Sequence, residues 1–326
     1  MNPFLLRIQA VIFTVITFVT GIFSPVTAPY HKLTNKNAEE KTVGVYQYIC
    51  SLQGNGTLSG QQESTWMGSD DYEFDYIEKA TGKLPAIRGF DYMDEDFEGV
   101  NQRAVKWADK GGIVTICWHC GPDYTGGWTQ AMNGEIADWS LMLTEGTKEY
   151  NDMIAGIDKA AAALKELQKA GVTVLWRPYH EFDGAWFWWG KGGPESFKTL
   201  WRIMYHRYTD YWHLDNLIWV LGFCHNGVDM RKWNPGADYY DIIGADSYDK
   251  SELPLLYRNV WAMNVRNKPI ILHECGTNPT ADELKNYPWC SFMTWHTEYM
   301  TDTNTLDELN ALYNSDRVIT LDEIKI

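Results

Sequence analysis

From Thr57 to His296 the chain alternates short apolar runs with longer segments whose apolar residues recur every three or four positions. IVTICW, VTVLW, LIWVLGF and PIILH are almost unbroken apolar runs, as expected of parallel strands buried on both faces. The pattern predicts strands over Thr57–Gln61, Leu84–Tyr92, Gly112–His119, Val172–Tyr179, Leu217–Phe223, Asp241–Tyr248, Pro269–Cys275 and Cys290–His296. A helix is expected over Asn37–Gln53, with Val43, Tyr46 and Ile49 on one face. Another runs over Glu149–Ala170, with Ile154, Ile157, Ala161, Leu164 and Leu167 on one face and Gly171 as its stop. A third covers Pro194–His213, and shorter ones Pro254–Val265, Thr280–Lys285 and Leu306–Tyr313. Strands alternating with helices in this way predict a single-domain (β/α)8 barrel. An open doubly wound sheet is the alternative, but no G-x-G-x-x-G or phosphate-binding loop follows the first strand.

Before the barrel, Arg7 precedes an apolar run from Ile8 to Phe23, followed by small residues around Val26–Ala28. That is the layout of a signal peptide over residues 1–28, leaving 29–326 as the exported domain, with an uncleaved membrane anchor as the alternative because the run is nearly long enough to span. A secreted protein is expected, extracellular or periplasmic, with no membrane attachment after cleavage. The net charge of −15 argues against nucleic acid and anionic membrane surfaces and is indifferent to a neutral, polyhydroxylated ligand. A monomer is expected. The 16 Trp and 19 Tyr exceed what a core needs, so some are expected in a groove. Cys50, Cys117, Cys120, Cys224, Cys275 and Cys290 lack zinc-ribbon spacing and read as structural thiols or one or two disulfides.

A barrel of this type places its chemistry at the C-terminal ends of its strands. Those ends carry Arg88 and Asp91, His119, His180-Glu181, Asp246 and Tyr248, His273-Glu274, and Trp295-His296. The stretch VLWRPYHEFDGAWFWWG, Val174 to Gly190, sets an ionisable pair after a buried strand and then four aromatics, Trp186 to Trp189. Those aromatics are expected as an exposed floor on which sugar C–H faces stack. The long connection from Cys120 to Thr147, with Tyr124, Trp128 and Trp139, is expected to form a cleft wall. Glu181 and Glu274 together suit retaining glycoside hydrolysis, in which one carboxyl protonates the leaving oxygen and the other attacks the anomeric carbon. Taken alone, Glu274 is equally consistent with a barrel glutamate paired to Arg88 or Arg177.

His119, His180, His225 and His273 with Asp246 were weighed as metal ligands. Neither His-Glu pair extends to H-E-x-x-H, because Gly184 and Thr277 stand where the second histidine is needed. No metal and no cofactor is expected. No G-x-S-x-G elbow marks a serine nucleophile.

RPYHEFDGAWFWWG, Arg177 to Gly190, resembles the acid/base signature of glycoside hydrolase family 26, mainly β-mannanases. ICWHCG, DIIGADSYD and PIILHECG fall where that family carries its third, sixth and seventh strand motifs, and the resemblance runs from about Leu58 to Trp295. It implies Glu181 as acid/base and Glu274 as nucleophile. His119, His180, Trp186 and Tyr248 would shape the sugar site, with Trp295 as a stacking platform. His180 would meet the sugar 2-hydroxyl, and the Tyr248 hydroxyl would hold Glu274. The expected activity is secreted endo-β-1,4-mannanase on mannan, galactomannan or glucomannan. The alternatives are a β-glucanase or xylanase on the same scaffold, or a non-catalytic carbohydrate-binding protein.

Overall fold

The computed structural model describes residues 32–224 and 229–326. The segment read as a signal peptide, and His225, lie outside the described residues. Eight parallel strands close into one barrel in chain order. They are β1 Gly60–Gln62, β2 Ile87–Asp91, β3 Ile113–Cys117, β4 Val174–Arg177, β5 Leu217–Cys224, β6 Ile242–Ser247, β7 Ile270–Cys275 and β8 Phe292–Thr294. The (β/α)8 expectation holds. Most strands are shorter than the apolar runs suggest, so His119, His180, Glu181, Tyr248 and Trp295 fall just past their ends, in the loops.

The first predicted strand divides in two. Thr57–Leu58 leaves the barrel to pair with Val318–Ile319, and only Gly60–Gln62 joins the closed sheet. Ser59 makes the break: its N–H and its hydroxyl both donate to the Ile319 carbonyl, at 3.0 and 2.9 Å.

Along the barrel axis, polarity is graded. At the strands' N-terminal ends Ile87, Ile113, Leu175, Ile218, Ile242 and Ile271 form an apolar plug. Helix α1 (Glu40–Ser51) packs Val45, Tyr46 and Ile49 against that plug. Toward the C-terminal ends charge replaces it. In β4, Leu175 lies in the plug, Val174 and Trp176 face the helix layer, and Arg177 comes next on Leu175's side by strand alternation.

Around the sheet, α2 (Tyr72–Thr81) and α3 (Phe97–Asp109) are helices beyond those expected from the sequence, although Val100, Ala104 and Trp107 make a buried stripe. Next comes α4 (Lys148–Lys169), followed by α5 (Gly193–His206), which runs on into a π-helical turn over Arg207–Tyr211. The remaining units are covered by α6 (Leu253–Met263), α7 (Ala281–Asn286) and α8 (Leu306–Tyr313). His206 closes α5 and pairs with Asp210, and His213 lies just past the π turn, away from the strand ends. All six cysteines are buried free thiols. Among the described residues no helix is long and apolar enough to cross a membrane.

Candidate active site

The C-terminal mouth of the barrel opens into a cleft of about 780 Å³. It collects His119, His180, Glu181, Trp186, Tyr248, Glu274 and Trp295, all the site residues expected from sequence.

Glu274 reaches this cleft through a backbone irregularity. In β6 the consecutive residues Ala245 and Asp246 pair with Leu272 and Glu274, so β7 carries one extra residue, His273. Alternation alone would send Glu274 to the side of Ile270 and Leu272, which pack in the helix layer. The bulge re-aims it inward, a recurring use of bulges beside functional sites. Arg177 receives it there, with Nη1 2.5 Å from Glu274 Oε1 and 3.2 Å from His273 Nδ1. His273 Nε2 donates to the Phe223 carbonyl at 2.9 Å, which leaves Nδ1 to accept from the arginine. The arginine pairing weighed for Glu274 is therefore real, and it is made by Arg177. Arg88 instead binds Glu63 and Asp71.

The electrostatics follow from this buried cation. Burial opposes the charge on Arg177, but Glu274 more than compensates and holds the guanidinium ionised. Burial and then Arg177 keep His180 and His273 well below the ordinary histidine range, so both rings are neutral. Burial lifts the Glu274 carboxyl above the usual glutamate range and Glu181 adds to the effect. Arg177, His119 and the Tyr248 hydroxyl, which donates to Glu274 Oε2 at 2.9 Å, oppose it. Asp246 neighbours both carboxyls: burial, then the Glu181 and Glu274 charges, keep it well above the usual carboxylate range. The sequence offered Asp246 as a strand-end residue, but nothing in it paired that residue with Glu181.

Glu181 sits in a strained turn. Tyr179, Glu181 and Ala185 all have positive φ, at 47°, 55° and 56°. Such residues cost of order 1–3 kcal/mol each and persist only where surroundings enforce them. Here the Glu181 N–H donates to the Gly222 carbonyl at 2.8 Å. A Cβ at Gly222 would come within 2.7 Å of His273 Nε2, so the close approach needs glycine. Asp183 Oδ1 accepts from the Cys224 N–H at 2.9 Å, and burial pushes this carboxyl up to about 7. The Trp186 indole N–H donates to Glu181 Oε2 at 2.7 Å and orients the carboxyl.

The expected exposed aromatic floor is corrected. Trp188 and Trp189 are fully buried and Phe187 nearly so, leaving only Trp186 half-open. The two buried indoles act as struts: Trp188 donates to the Cys120 carbonyl and Trp189 to the His180 carbonyl, both at 2.8 Å. A short helix, Trp188–Lys191, starts there and turns both rings into the core. The Cys120–Thr147 connection likewise divides. Tyr124 is buried, bonding the Tyr179 hydroxyl at 2.7 Å, and Trp139 stacks on Trp188, whereas Trp128 is 54% exposed and lines the cleft.

His119 is fixed by Asp91, through Nδ1 to Oδ2 at 2.5 Å and its N–H to Oδ1 at 3.0 Å. Burial opposes the charged ring, but Asp91 outweighs it and holds His119 above the ordinary range. Asp91 is itself held below its own. Among the described residues, two sets of potential metal ligands have their ligand atoms within 4.8 Å of one another: Asp91, Cys117 and His119, and Asp246, His273 and Glu274. The first is engaged in the Asp91–His119 pair, and the Arg177 charge disfavours a cation at the second.

Two outcomes test these assignments. Trp188→Ala should destabilise by about 3–5 kcal/mol in urea unfolding, as for a deleted core aromatic. Trp186→Ala should cost well under half of that, and equal losses would return Trp186 to the core. The Asp91–His119 pair should stabilise fully between about pH 4 and 6.5, above the unfolded aspartate value and below the unfolded histidine value. Its contribution is lost as pH falls through the depressed Asp91 pKa or rises through the raised His119 pKa. Asp91→Asn keeps Oδ1 as acceptor but removes the charge. The stability gap to wild type should therefore peak in that window, and a pH-independent gap contradicts the pairing.

The model for glycosyl hydrolase family 26 matches residues 34–323. A mannan endo-1,4-β-mannosidase of Thermothelomyces thermophilus is 33% identical over 90% of this chain, which spans 63% of that relative's length. The crystal structure of the Podospora anserina GH26-CBM35 β-(1,4)-mannanase superposes with a TM-score of 0.82 at 34% identity, over 92% of this chain and 70% of that one. A β-mannanase from a symbiotic protist of the termite Reticulitermes speratus, complexed with gluco-manno-oligosaccharide, gives 0.82 at 26% identity, over 92% and 99%. With the family model matched over nearly all the described residues, this chain belongs to glycosyl hydrolase family 26.

Proposed function

We propose that this protein is an endo-β-1,4-mannanase that cleaves mannan-type polysaccharide by double displacement, with Glu181 as acid/base and Glu274 as nucleophile. The observation that carries the reading is one cleft holding two differently supported carboxyls. Glu274 lies against a buried arginine and a tyrosine hydroxyl, and both favour its ionised form. Glu181 is oriented by an indole N–H, and among the described residues no cation pairs with it, as suits a carboxyl that must carry a proton. The relatives named as mannanases, and the gluco-manno-oligosaccharide bound by one of them, support mannose-containing polymer as the substrate.

In the first step the Glu274 carboxylate attacks the anomeric carbon while Glu181 gives its proton to the departing glycosidic oxygen. In the second, Glu181 takes a proton from water as that water attacks the glycosyl-enzyme. Neutral His180 has its Nε2 3.4 Å from Glu274 Oε1 and a buried Nδ1 with no hydrogen-bond partner among the described residues. It is placed for the sugar 2-hydroxyl, whose hydrogen bond strengthens as positive charge develops on the ring. That hydroxyl is axial in mannose, so the same contact bears on sugar choice.

Reducing sugar released from galactomannan and glucomannan, and not from xylan or mixed-linkage glucan, is the expected specificity. The two carboxyl roles separate with an activated aryl β-mannoside, whose phenolate leaves without an acid. Glu181→Ala should lose about 10²–10⁴-fold on polymer yet form the glycosyl-enzyme from the aryl substrate and stall. Azide should then restore turnover and give the β-mannosyl azide. Glu274→Ala has no nucleophile, and azide can rescue it only to the α-azide. Exchanged stereochemistry, read by NMR, would reverse the assignment.

A further inference from the structure

One wall of the cleft is assembled from two loops far apart in sequence. Trp66, 51% exposed, comes from the loop after β1, and Trp295 and His296 from the loop after β8. Between ring centroids, Trp66 meets His296 edge-on at 4.8 Å, His296 lies tilted against Trp295 at 5.0 Å, and Trp295 meets His119 edge-on at 6.3 Å. Behind this wall lies Glu73, on the first turn of α2 and fully buried. Its carboxylate accepts from the Ser64 N–H at 3.2 Å, the Ser64 hydroxyl at 2.5 Å and the Thr297 N–H at 2.9 Å. All three donors are neutral, and they belong to the two loops that carry the wall. Thr297 has φ 48° and ψ −117°, a combination that β-branched residues rarely adopt. Its N–H can meet Glu73 only while that backbone is held.

We propose that Glu73 is a positioning residue for substrate. Its carboxylate ties the β1 and β8 loops together, holds Thr297 in its unfavourable conformation, and so presents Trp66, His296 and Trp295 as one preformed surface for the sugar chain. The inference rests on the reading that the cleft takes mannan-type polysaccharide. A preformed wall avoids the cost of ordering side chains when substrate binds. Without the carboxylate, Thr297 relaxes toward negative φ and carries Trp295 and His296 with it.

Glu73→Met tests this at similar length, because the thioether takes the carboxylate acceptor away from the Ser64 and Thr297 N–H groups together. With β-1,4-mannohexaose, KM should rise about 10-fold while kcat stays within about 3-fold. Adding Thr297→Gly supplies a residue for which the observed φ and ψ carry little penalty. The double variant should recover KM to within about 3-fold of wild type, which a purely stabilising role for Glu73 would not produce. An unchanged KM, a fall in kcat alone, or a double variant no better than the single one overturns the proposal. If Glu73→Met does not fold, Ser64→Ala removes one donor and should raise KM about 2–3-fold, and no rise overturns it equally. Wild type assayed in parallel separates the two readings: failure to cleave the hexaose defeats the mannanase assignment and the proposal resting on it, whereas normal cleavage with an unaffected Glu73 variant defeats the positioning role alone.

Discussion

The site depends on one buried cation. Arg177 is 1% exposed and lies where the apolar plug of the barrel gives way to its polar mouth. Leaving a guanidinium there unpaired would be strongly destabilising, so Glu274 and His273 must both come to it. That requirement explains the bulge in β7, which brings successive side chains to one arginine. Burial keeps His180 neutral, and Arg177 adds to that, since a second cation beside it is unfavourable. Removing Glu274 therefore does more than delete a carboxylate, because Arg177 loses its charge partner.

A second layer of support is polar and peripheral. Glu63, a cleft residue, accepts from Arg88 Nη2 and Arg103 Nε, each at 2.8 Å, and these arginines extend to Asp71 and Asp96. Burial lifts the Glu63 carboxyl and the two arginines counter it. Near Glu181, Trp188 and Trp189 anchor Cys120 and His180 through their indole N–H groups. Rigid aromatics therefore set the backbone from which the polar groups project. This is how loops gain the precision that a sugar site needs.

Much of this was legible in the sequence, because buried parallel strands announce themselves as apolar runs and barrel chemistry gathers at their ends. Glu181, Glu274, His119, His180, Trp186, Tyr248 and Trp295 share one cleft for that reason. What escaped the sequence depends on geometry without a compositional trace. The extra residue at His273 looks like ordinary strand, and the pairing of Thr57–Leu58 with Val318–Ile319 spans nearly the whole domain. Trp188 and Trp189 were misplaced because a run of aromatics after a turn reads alike whether the rings face solvent or core. Asp246 and Glu73 act through neighbours that only the closed barrel brings near.

The central claim is that the bulge in β7 and the charge on Arg177 make Glu274 the group that bonds to the sugar. A 2-deoxy-2-fluoro-mannosyl fluoride forms the glycosyl-enzyme readily and slows its breakdown, so the attachment site can be read by peptide mass spectrometry. The account predicts one sugar on the peptide carrying Glu274, with fragmentation placing it on that side chain. Labelling of Glu181 or Asp246, or time-dependent inactivation with no label on Glu274, would contradict it.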